Sequence, residues 1–196
     1  YKMTSLIGRI LGIEKGTDEY VKAIQKTIEK NGIAVSLEEV AADEKSLWVA
    51  YSLTDENDEN DISMNSVQAA VDGEALALER QYALNNSTGS EKTASKYFVA
   101  KFNRSKADRS QKFEIEIGTF QNENGQVEEK DAYEFSFTAD PEVLEADTKE
   151  IDIQTSIPIE KNQTFLLSEM KYNIFGCTIS GSFSDMAEDD EFWIRG

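Results

Sequence analysis

Histidine is absent from this 196-residue chain, and cysteine and proline are scarce, with one and two residues respectively. Without histidine, every Ser-His-Asp or Cys-His mechanism and every metal site built on imidazole is excluded. The single cysteine, Cys177, cannot form an internal disulfide. It lies in an alternating apolar run without a cationic cluster to activate it, so we expect a small buried side chain and not a reactive thiol.

Basic residues and long apolar runs are also in short supply. Lys and Arg total 20 against 38 Asp and Glu, which gives a net charge of −18. Such a chain repels phosphate backbones, so nucleic-acid binding is excluded. No stretch of about 18 apolar residues and no signal-peptide pattern occurs, so we expect no membrane span within the chain. Phosphate-binding glycine strings are missing as well, and no cofactor is expected.

The first thirty residues have helical spacing. A stripe of Met3, Leu6, Ile7, Ile10 and Leu11 followed by Gly12 predicts a short amphipathic helix. A second amphipathic helix is predicted from Thr17, with its apolar residues four apart and an exit at 31–32. We expect this helical segment, 1–30, to pack on the domain that follows.

From residue 33 the apolar period changes to two, which indicates strands. The stretch NGIAVSLEEVAADEKSLWVAYSL reads as two strands around a polar turn at 43–46. Alternation returns around residues 98–102, 113–117 and 133–137, with polar loops predicted at 55–61, 85–95, 103–111 and 121–130. Asp72-Gly73 is a two-residue hairpin signal, although the alanines and leucines around it would also suit a helix.

These patterns predict a mainly β fold, namely an immunoglobulin-like antiparallel β-sandwich with two N-terminal amphipathic helices. The sandwich would span 31–150, with a boundary near residue 150 after Pro141 and an acidic stretch. The strands of 151–196 are too few for an independent sandwich, so they either join the first sheet or begin a second β-domain. The unusual first residue and the apolar end at 192–194 suggest a fragment of a longer protein.

Carboxylates offer the remaining chemistry. Paired acids could hydrolyse glycosides, but with 38 acidic residues some pair always lies close, so proximity carries no information. The segment DENDENDIS places Asp55, Asn57, Glu59 and Asp61 at the spacing of an EF-hand opening. The required glycine is replaced by Asn60 and the required glutamate by Ser66. These four residues are therefore weak calcium candidates, and a solvated loop is favoured.

Trp48 is out of phase with Leu47, Val49 and Tyr51, so it points to the opposite face of its strand. There it is either a core residue beneath a covering helix or part of an exposed binding patch. We favour the core position, with the N-terminal helices as the cover.

One resemblance extends this interpretation. The amphipathic segment LIGRILGIEKG, the predicted helix and the hairpin after it resemble a domain family of unknown function, found just outside the membrane helix of single-pass proteins of Gram-positive bacteria. The matching positions are Asn31, Gly32, Ile33, Leu47, Val49 and Tyr51. The resemblance covers roughly residues 1–150. Further on, KYNIFGCTISGSF partly resembles the strand that opens a second β-domain in such proteins, with Gly176 and the following strand as the match.

Some members of that family are described as anti-sigma factors or sigma-factor negative effectors. The resemblance therefore implies a non-enzymatic extracellular module, anchored at the cell surface through a preceding membrane helix and acting in envelope sensing or anti-sigma-factor regulation. Its partner would be an unknown protein or envelope ligand. The alternative is a structural or adhesive envelope domain that binds another protein through a sheet edge.

Overall fold

Strands dominate the computed structural model, which describes residues 5–13, 16–55, 64–84, 95–104, 111–123, 126–141, 144, 147–159 and 164–184. One helix, α1 (Leu6–Leu11), and one 3-10 turn (Thr17–Glu19) precede the strands. The strands are β1 (Lys22–Lys30), β2 (Ile33–Ala42), β3 (Ser46–Asp55), β4 (Met64–Val71), β5 (Glu74–Leu84), β6 (Lys96–Asn103), β7 (Gln111–Glu123), β8 (Gln126–Ala139), β9 (Lys149–Pro158), β10 (Thr164–Asn173) and β11 (Gly176–Ser184). The predicted mainly β, antiparallel fold is confirmed.

The first eight strands form one sheet in the order β1-β2-β3-β6-β5-β4-β7-β8. Strand β5 joins its two halves, because its first residues pair with β4 while those from Ala77 onward pair with β6. The sheet curls until β8 approaches β1 and β2, so it is nearly closed, like a barrel. The immunoglobulin-like arrangement of two separate sheets is therefore wrong: the interior lies inside one continuous curved sheet.

The second N-terminal helix is also wrong. Residues from Lys22 onward form β1, which pairs with β2 along its length. A bulge between Ala23 and Lys26, with Gln25 at φ 52°, inserts one extra residue. Ile24 and Ile28 both pack against the interior. A spacing of four places two residues on one face of a strand as well as on one face of a helix, so this spacing did not distinguish the two.

In two tight hairpin turns, both central residues have a left-handed backbone conformation. At Asn31 and Gly32 the φ angles are 51° and 78°, and at Asp72 and Gly73 they are 50° and 85°. Positive φ at both central residues is the signature of the turn that best matches strand twist. The hairpin at Asp72-Gly73 is confirmed, whereas Asn31-Gly32 links β1 to β2 and does not end a helix.

The interior of the curved sheet is filled with apolar side chains at alternate positions, as the period of two predicted. Its largest fully buried members include Leu37, Leu47, Leu53, Tyr51, Phe102, Phe113, Ile115, Ile117 and Tyr133. The rings of Phe113 and Phe137 stack at a centroid distance of 5.6 Å. The predicted loop at 121–130 is wrong, because β7 and β8 continue pairing out to Glu123 and Gln126.

The chain divides into two compact units, Tyr1–Ala146 and Asp147–Gly196. In the second unit, β9, β10 and β11 form an antiparallel sheet with β10 in the centre. Both pairings shift register between Leu167 and Glu169. Strand β10 has one extra residue relative to β11, whereas β9 has one extra residue relative to β10, next to Gln154 at φ 48°.

Candidate functional site

Helix α1 is docked against the outside of the curved sheet. The Ser5 hydroxyl caps its start by accepting from the Gly8 amide at 3.0 Å, and Gly12 ends it at φ 74°. The helix contacts β2, β3, β5 and β6. The predicted stop at Gly12 is confirmed, and so is a short helix at this place.

Polar contacts hold α1 to the following turn and to β2. The Ser5 hydroxyl donates to Thr17 Oγ1 at 2.7 Å, and the Ser5 amide donates to Asp18 Oδ1 at 3.0 Å. The Ile7 amide donates to Glu39 Oε2 at 3.1 Å. We call these contacts of Ser5, Ile7, Thr17, Asp18 and Glu39 the N-terminal clasp. The sequence predicts the start of a helix at Thr17 and Asp18. In the structure these residues form a turn whose side chains accept hydrogen bonds from Ser5 and hold α1 in place.

The face of β3 that carries Trp48 is buried on the α1 side of the sheet. Trp48 is only 3% exposed, Ile7 is fully buried, and neither belongs to the interior cluster. Lys101 on β6 lies over the Trp48 ring, with its ammonium 5.6 Å from the centroid. The core position of Trp48 beneath the N-terminal segment is confirmed, so β3 is buried on both faces and α1 covers a second, smaller apolar layer.

Three lysines of β1 span the gap to the edge of β8. The ammonium groups of Lys22, Lys26 and Lys30 donate to the backbone carbonyls of Thr138, Ser136 and Ala132 respectively. We call this contact the lysine seam. It satisfies carbonyls that a neighbouring strand would otherwise pair with. Sequence reasoning missed it, although the spacing of three lysines four apart was its visible signal.

One end of the lysine seam is fixed by Tyr133 and a polar pair. The Tyr133 hydroxyl donates to the carbonyls of Lys30 and Ile33 at 3.2 and 3.3 Å. Asn31 donates to the Asp131 carboxylate at 2.9 Å. Burial, with a smaller contribution from Asp131, raises the pKa of Tyr133 to about 12. The hydroxyl is therefore a neutral donor across the physiological range.

A partly buried polar network joins three strands of the sheet. The Tyr51 hydroxyl donates to Asn65 Oδ1 at 2.6 Å, and Gln81 Nε2 donates to the same oxygen at 2.7 Å and to the Tyr51 hydroxyl. Burial raises the pKa of Tyr51, although the Gln81 bond acts in the opposite direction. Because the three side chains satisfy one another, the network reads as a structural link between β3, β4 and β5.

An open groove of about 570 Å³ lies on the outer face of β4, β7 and β8. Its polar lining includes Gln68, Lys112, Glu114, Glu116, Glu134 and Ser136. Glu116 and Glu134 are direct cross-strand partners, an arrangement that is unfavourable for two like charges. The groove is thus lined by more acidic than basic side chains.

The calcium candidates are not brought together in what the structure describes. Asp55 ends β3 and is nearly buried, at 9% exposure. Asn57, Glu59 and Asp61 lie outside the described residues. Within the described ranges, no group of three or more Asp, Glu or Cys side chains is arranged to hold a metal ion.

Cys177 is exposed at the start of β11, so the expectation of a buried side chain is wrong. The alternating run that contains it does form a strand, but the strand belongs to the small sheet of the second unit.

No family model and no curated protein matches the chain. In three dimensions it is similar to the crystal structure of a conserved domain protein from Bacillus anthracis, with a TM-score of 0.58 and 17% sequence identity. The similarity covers 84% of this chain and 58% of that one, so the chain spans well under two thirds of the length of its neighbour. At this identity the likeness shows a shared fold. Among the described residues, no helix is both long and apolar enough to cross a membrane.

Proposed function

We propose that this chain is a non-enzymatic extracellular module of a membrane-anchored bacterial protein, acting in envelope sensing or anti-sigma-factor regulation. The observation that carries the proposal is the N-terminal clasp. In the family that the sequence resembles, the segment before such a domain leaves the membrane, so a helix locked to the sheet would link the domain mechanically to the segment across the membrane.

The clasp is suited to a switch because it is small and mostly polar. Helix α1 has six residues, far too few to persist alone in water, so its fold depends on docking. A ligand of the sheet, or cleavage of a loop, would shift the docking equilibrium if it favoured one of the two states. Contacts of α1 with four strands give such a change in the sheet several routes to the helix.

The location is tested with the exposed Cys177, used as a natural label site in the full-length protein with any cysteine outside this chain replaced. A membrane-impermeant maleimide is added to intact cells and to permeabilised cells. We expect equal labelling in the two samples. Labelling that requires permeabilisation would contradict an extracellular position.

The regulatory part is tested by transcript sequencing of cells that carry Gly8→Ala in the full-length protein. A methyl group at Gly8 would lie 2.5 Å from Thr17 Oγ1 and so disturb the clasp. We expect a coherent set of genes to change expression relative to wild type. Gly176→Ala, where added atoms meet nothing within 4 Å, is the control and should leave transcripts unchanged.

The alternative function is a structural or adhesive domain that binds a protein through a sheet edge. It is favoured by the second unit, where β9 and β11 each pair on one side among the described strands. In the larger sheet the lysine seam covers the edge of β8, so such binding would use the small sheet. In that case a chain ending at residue 146 would lose adhesion, while Gly8→Ala would leave transcription unchanged.

A further inference from the structure

The sheet of the second unit has one apolar and one polar face. Cross-strand partners share a face, so the register defines the apolar face by four rows. These rows are Ile157-Phe165-Phe183, Thr155-Leu167-Gly181, Ile151-Met170-Ile179 and Lys149-Tyr172-Cys177. The opposite, polar face carries Ser156-Leu166-Ser182, Asp152-Glu169-Ser180 and Glu150-Lys171-Thr178.

Large side chains on the apolar face remain in contact with solvent. Ile179 is 58% exposed, Ile157 and Tyr172 are each 42% exposed, and Ile151 is 41% exposed. In the first unit the corresponding inward rows are almost completely buried. The apolar face therefore has the composition of a sheet interior and the exposure of a surface.

One end of the apolar face is aromatic. The rings of Phe165 and Phe183 lie 4.9 Å apart, and a Cβ at Gly181 would meet the Phe165 ring at 2.3 Å. The absence of a side chain at Gly181 thus lets the Phe165 ring lie across β11. The two half-buried rings, tilted at 50° to each other, provide apolar area for packing against a second layer.

A single three-stranded layer does not bury enough surface for stability, because an amphipathic sheet needs a second layer on its apolar side. We propose that this layer is the apolar face of a second copy of the chain. Two copies would stack face to face as a six-stranded sandwich with a two-fold axis, in which each row of one copy meets rows of the other.

The area of the face suits a weak dimer. Three strands of nine or ten residues, at a rise of about 3.3 Å and a spacing of about 4.8 Å, give a footprint of roughly 400 Å² per copy. The pair would cover roughly 800 Å², below the ~1,000 Å² that stable interfaces exceed, so the dimer would be weak and transient. Association in the micromolar range is therefore expected.

The distribution of charge also favours this geometry. With a net charge of −18, two copies repel each other wherever acidic surfaces meet. In the four rows of the apolar face Lys149 is the one charged residue, whereas the polar face carries Glu150, Asp152 and Glu169. Stacking through the apolar faces keeps these carboxylates on the outside. Added salt should strengthen the dimer, because it screens the net repulsion and leaves apolar contact intact.

The test is sedimentation equilibrium of the full chain from 1 to about 200 μM, spanning the weak range typical of such small interfaces, at low and high salt. We expect a reversible monomer–dimer equilibrium that shifts toward dimer with salt. Ile179→Lys, on the apolar face of β11, should weaken the dimer and raise its dissociation constant at least tenfold. Ser182→Lys, exposed on the polar face of the same strand, is the matched control and should leave it unchanged.

Two further measurements complete the test. Ile151→Lys places the same charge on the apolar face of β9 and should weaken the dimer as Ile179→Lys does. Circular dichroism should show that each variant is folded. Alkylation of Cys177, which lies on the apolar face, should slow as the chain concentration rises. A wild-type chain that stays monomeric throughout the range would overturn the proposal. Equal weakening by Ile179→Lys and Ser182→Lys would also overturn it, because edge pairing would affect both alike.

Discussion

Single side chains hold together strands that are far apart in sequence. The Tyr133 hydroxyl bonds two carbonyls about a hundred positions earlier in the chain, at the turn between β1 and β2. A neutral phenol buried at such a junction ties stability to its protonation state. At this scale, stability and pH dependence follow from one atom and its partners.

Alkaline pH should unfold the protein partly through Tyr133. Its pKa is about 12 in the folded chain against an ordinary 10, so the unfolded chain ionises first as pH rises. The stabilisation is complete below pH 10 and is lost progressively between about pH 10 and 12. Urea unfolding from pH 8 to 11.5 should show Tyr133→Phe to be less stable at pH 8 by about 1 kcal/mol and less sensitive to pH above 10.

The matched control is Tyr172→Phe, because Tyr172 is exposed. It should keep the wild-type profile. A Tyr133→Phe profile parallel to wild type at every pH would show that the phenol does not couple folding to pH.

The hairpin turn at Gly73 should be intolerant of any side chain. Its φ is 85°, and a Cβ there would meet nothing within 4 Å, so the cost of Gly73→Ala is purely conformational. We expect a loss of about 1–2 kcal/mol in the free energy of unfolding. Gly176→Ala has equal space without a left-handed φ and should change stability by less than about 0.5 kcal/mol. Equal effects of the two variants would contradict the conformational explanation.

At the scale of elements, the molecule depends on two joints between pieces that lack backbone pairing to each other. One is the N-terminal clasp, where a short helix is held by side chains of its neighbours. The other is the lysine seam, where ammonium groups stand in for a strand. Both joints are made of side-chain bonds, and both should respond to changes that leave the sheet itself intact.

Gly8→Ala should release α1. The added methyl group would press on Thr17, with its Cβ 2.5 Å from Oγ1 and 3.0 Å from Cγ2, and overpacking of this kind costs about 1–3 kcal/mol. Loss of the cover should expose Trp48 and shift its fluorescence to longer wavelength. The measurement uses a Trp193→Phe background, so that Trp48 is the sole tryptophan.

Thr17→Ala supplies the control for that prediction. It removes the two nearest of the three atoms that the new methyl group would meet and leaves Ser5 Oγ at 3.1 Å, so Gly8→Ala should cost less in the Thr17→Ala background than alone. Strictly additive effects would place the cause of the destabilisation elsewhere.

Replacing the seam lysines should free the edge of β8. Each of Lys22, Lys26 and Lys30 changed to Met keeps the aliphatic stem and removes a charged donor, at a cost of about 0.5–1 kcal/mol. The triple variant should also self-associate, because the carbonyls of β8 become available to another strand. Urea unfolding and light scattering measure the two effects.

Lys112→Met is the control for the seam. Lys112 forms an exposed pair with Glu114 at 3.3 Å, and such pairs contribute little. Its loss should change neither stability nor association. A triple variant as stable and as monodisperse as Lys112→Met would show that the seam has no structural role.

At the scale of the whole chain, two units differ in how completely they are built. The first has a filled interior and a second apolar layer under α1, whereas the described strands of the second form one amphipathic sheet. Every member of the interior cluster falls within Ile24 to Ala139. The interior of the curved sheet is therefore filled by residues of the first unit alone.

A chain ending at Ala146 should fold by itself. Its core is complete and Trp48 is its one tryptophan. We expect blue-shifted fluorescence and a cooperative urea transition with a midpoint close to that of the first unit in the full chain. A red-shifted spectrum or a broad, non-cooperative transition would show that residues after 146 are required for the fold.

Much of the fold follows from local patterns. Period-two alternation located the strands around residues 33–53, 98–102, 113–117 and 133–137. Alternate side chains of a strand point to the same face, and in each of these strands one face lines the apolar interior. Asp72-Gly73 specified its turn through backbone conformation alone, and Gly12 specified the end of α1. These features need no knowledge of distant residues, and all of them are present in the structure.

Only the tertiary structure decided the rest. The four-residue spacing of Ile24 and Ile28 fits a helix and a strand equally, and pairing with β2 decides for the strand. Whether the strands form two sheets or one curved sheet depends on β5 exchanging partners midway, which no local pattern encodes. The N-terminal clasp and the lysine seam join residues from 12 to more than 100 positions apart. The sequence by itself determined where strands run and which side chains are apolar; which surfaces meet was decided by long-range contacts, whose energies depend on geometry that exists only once the chain has folded.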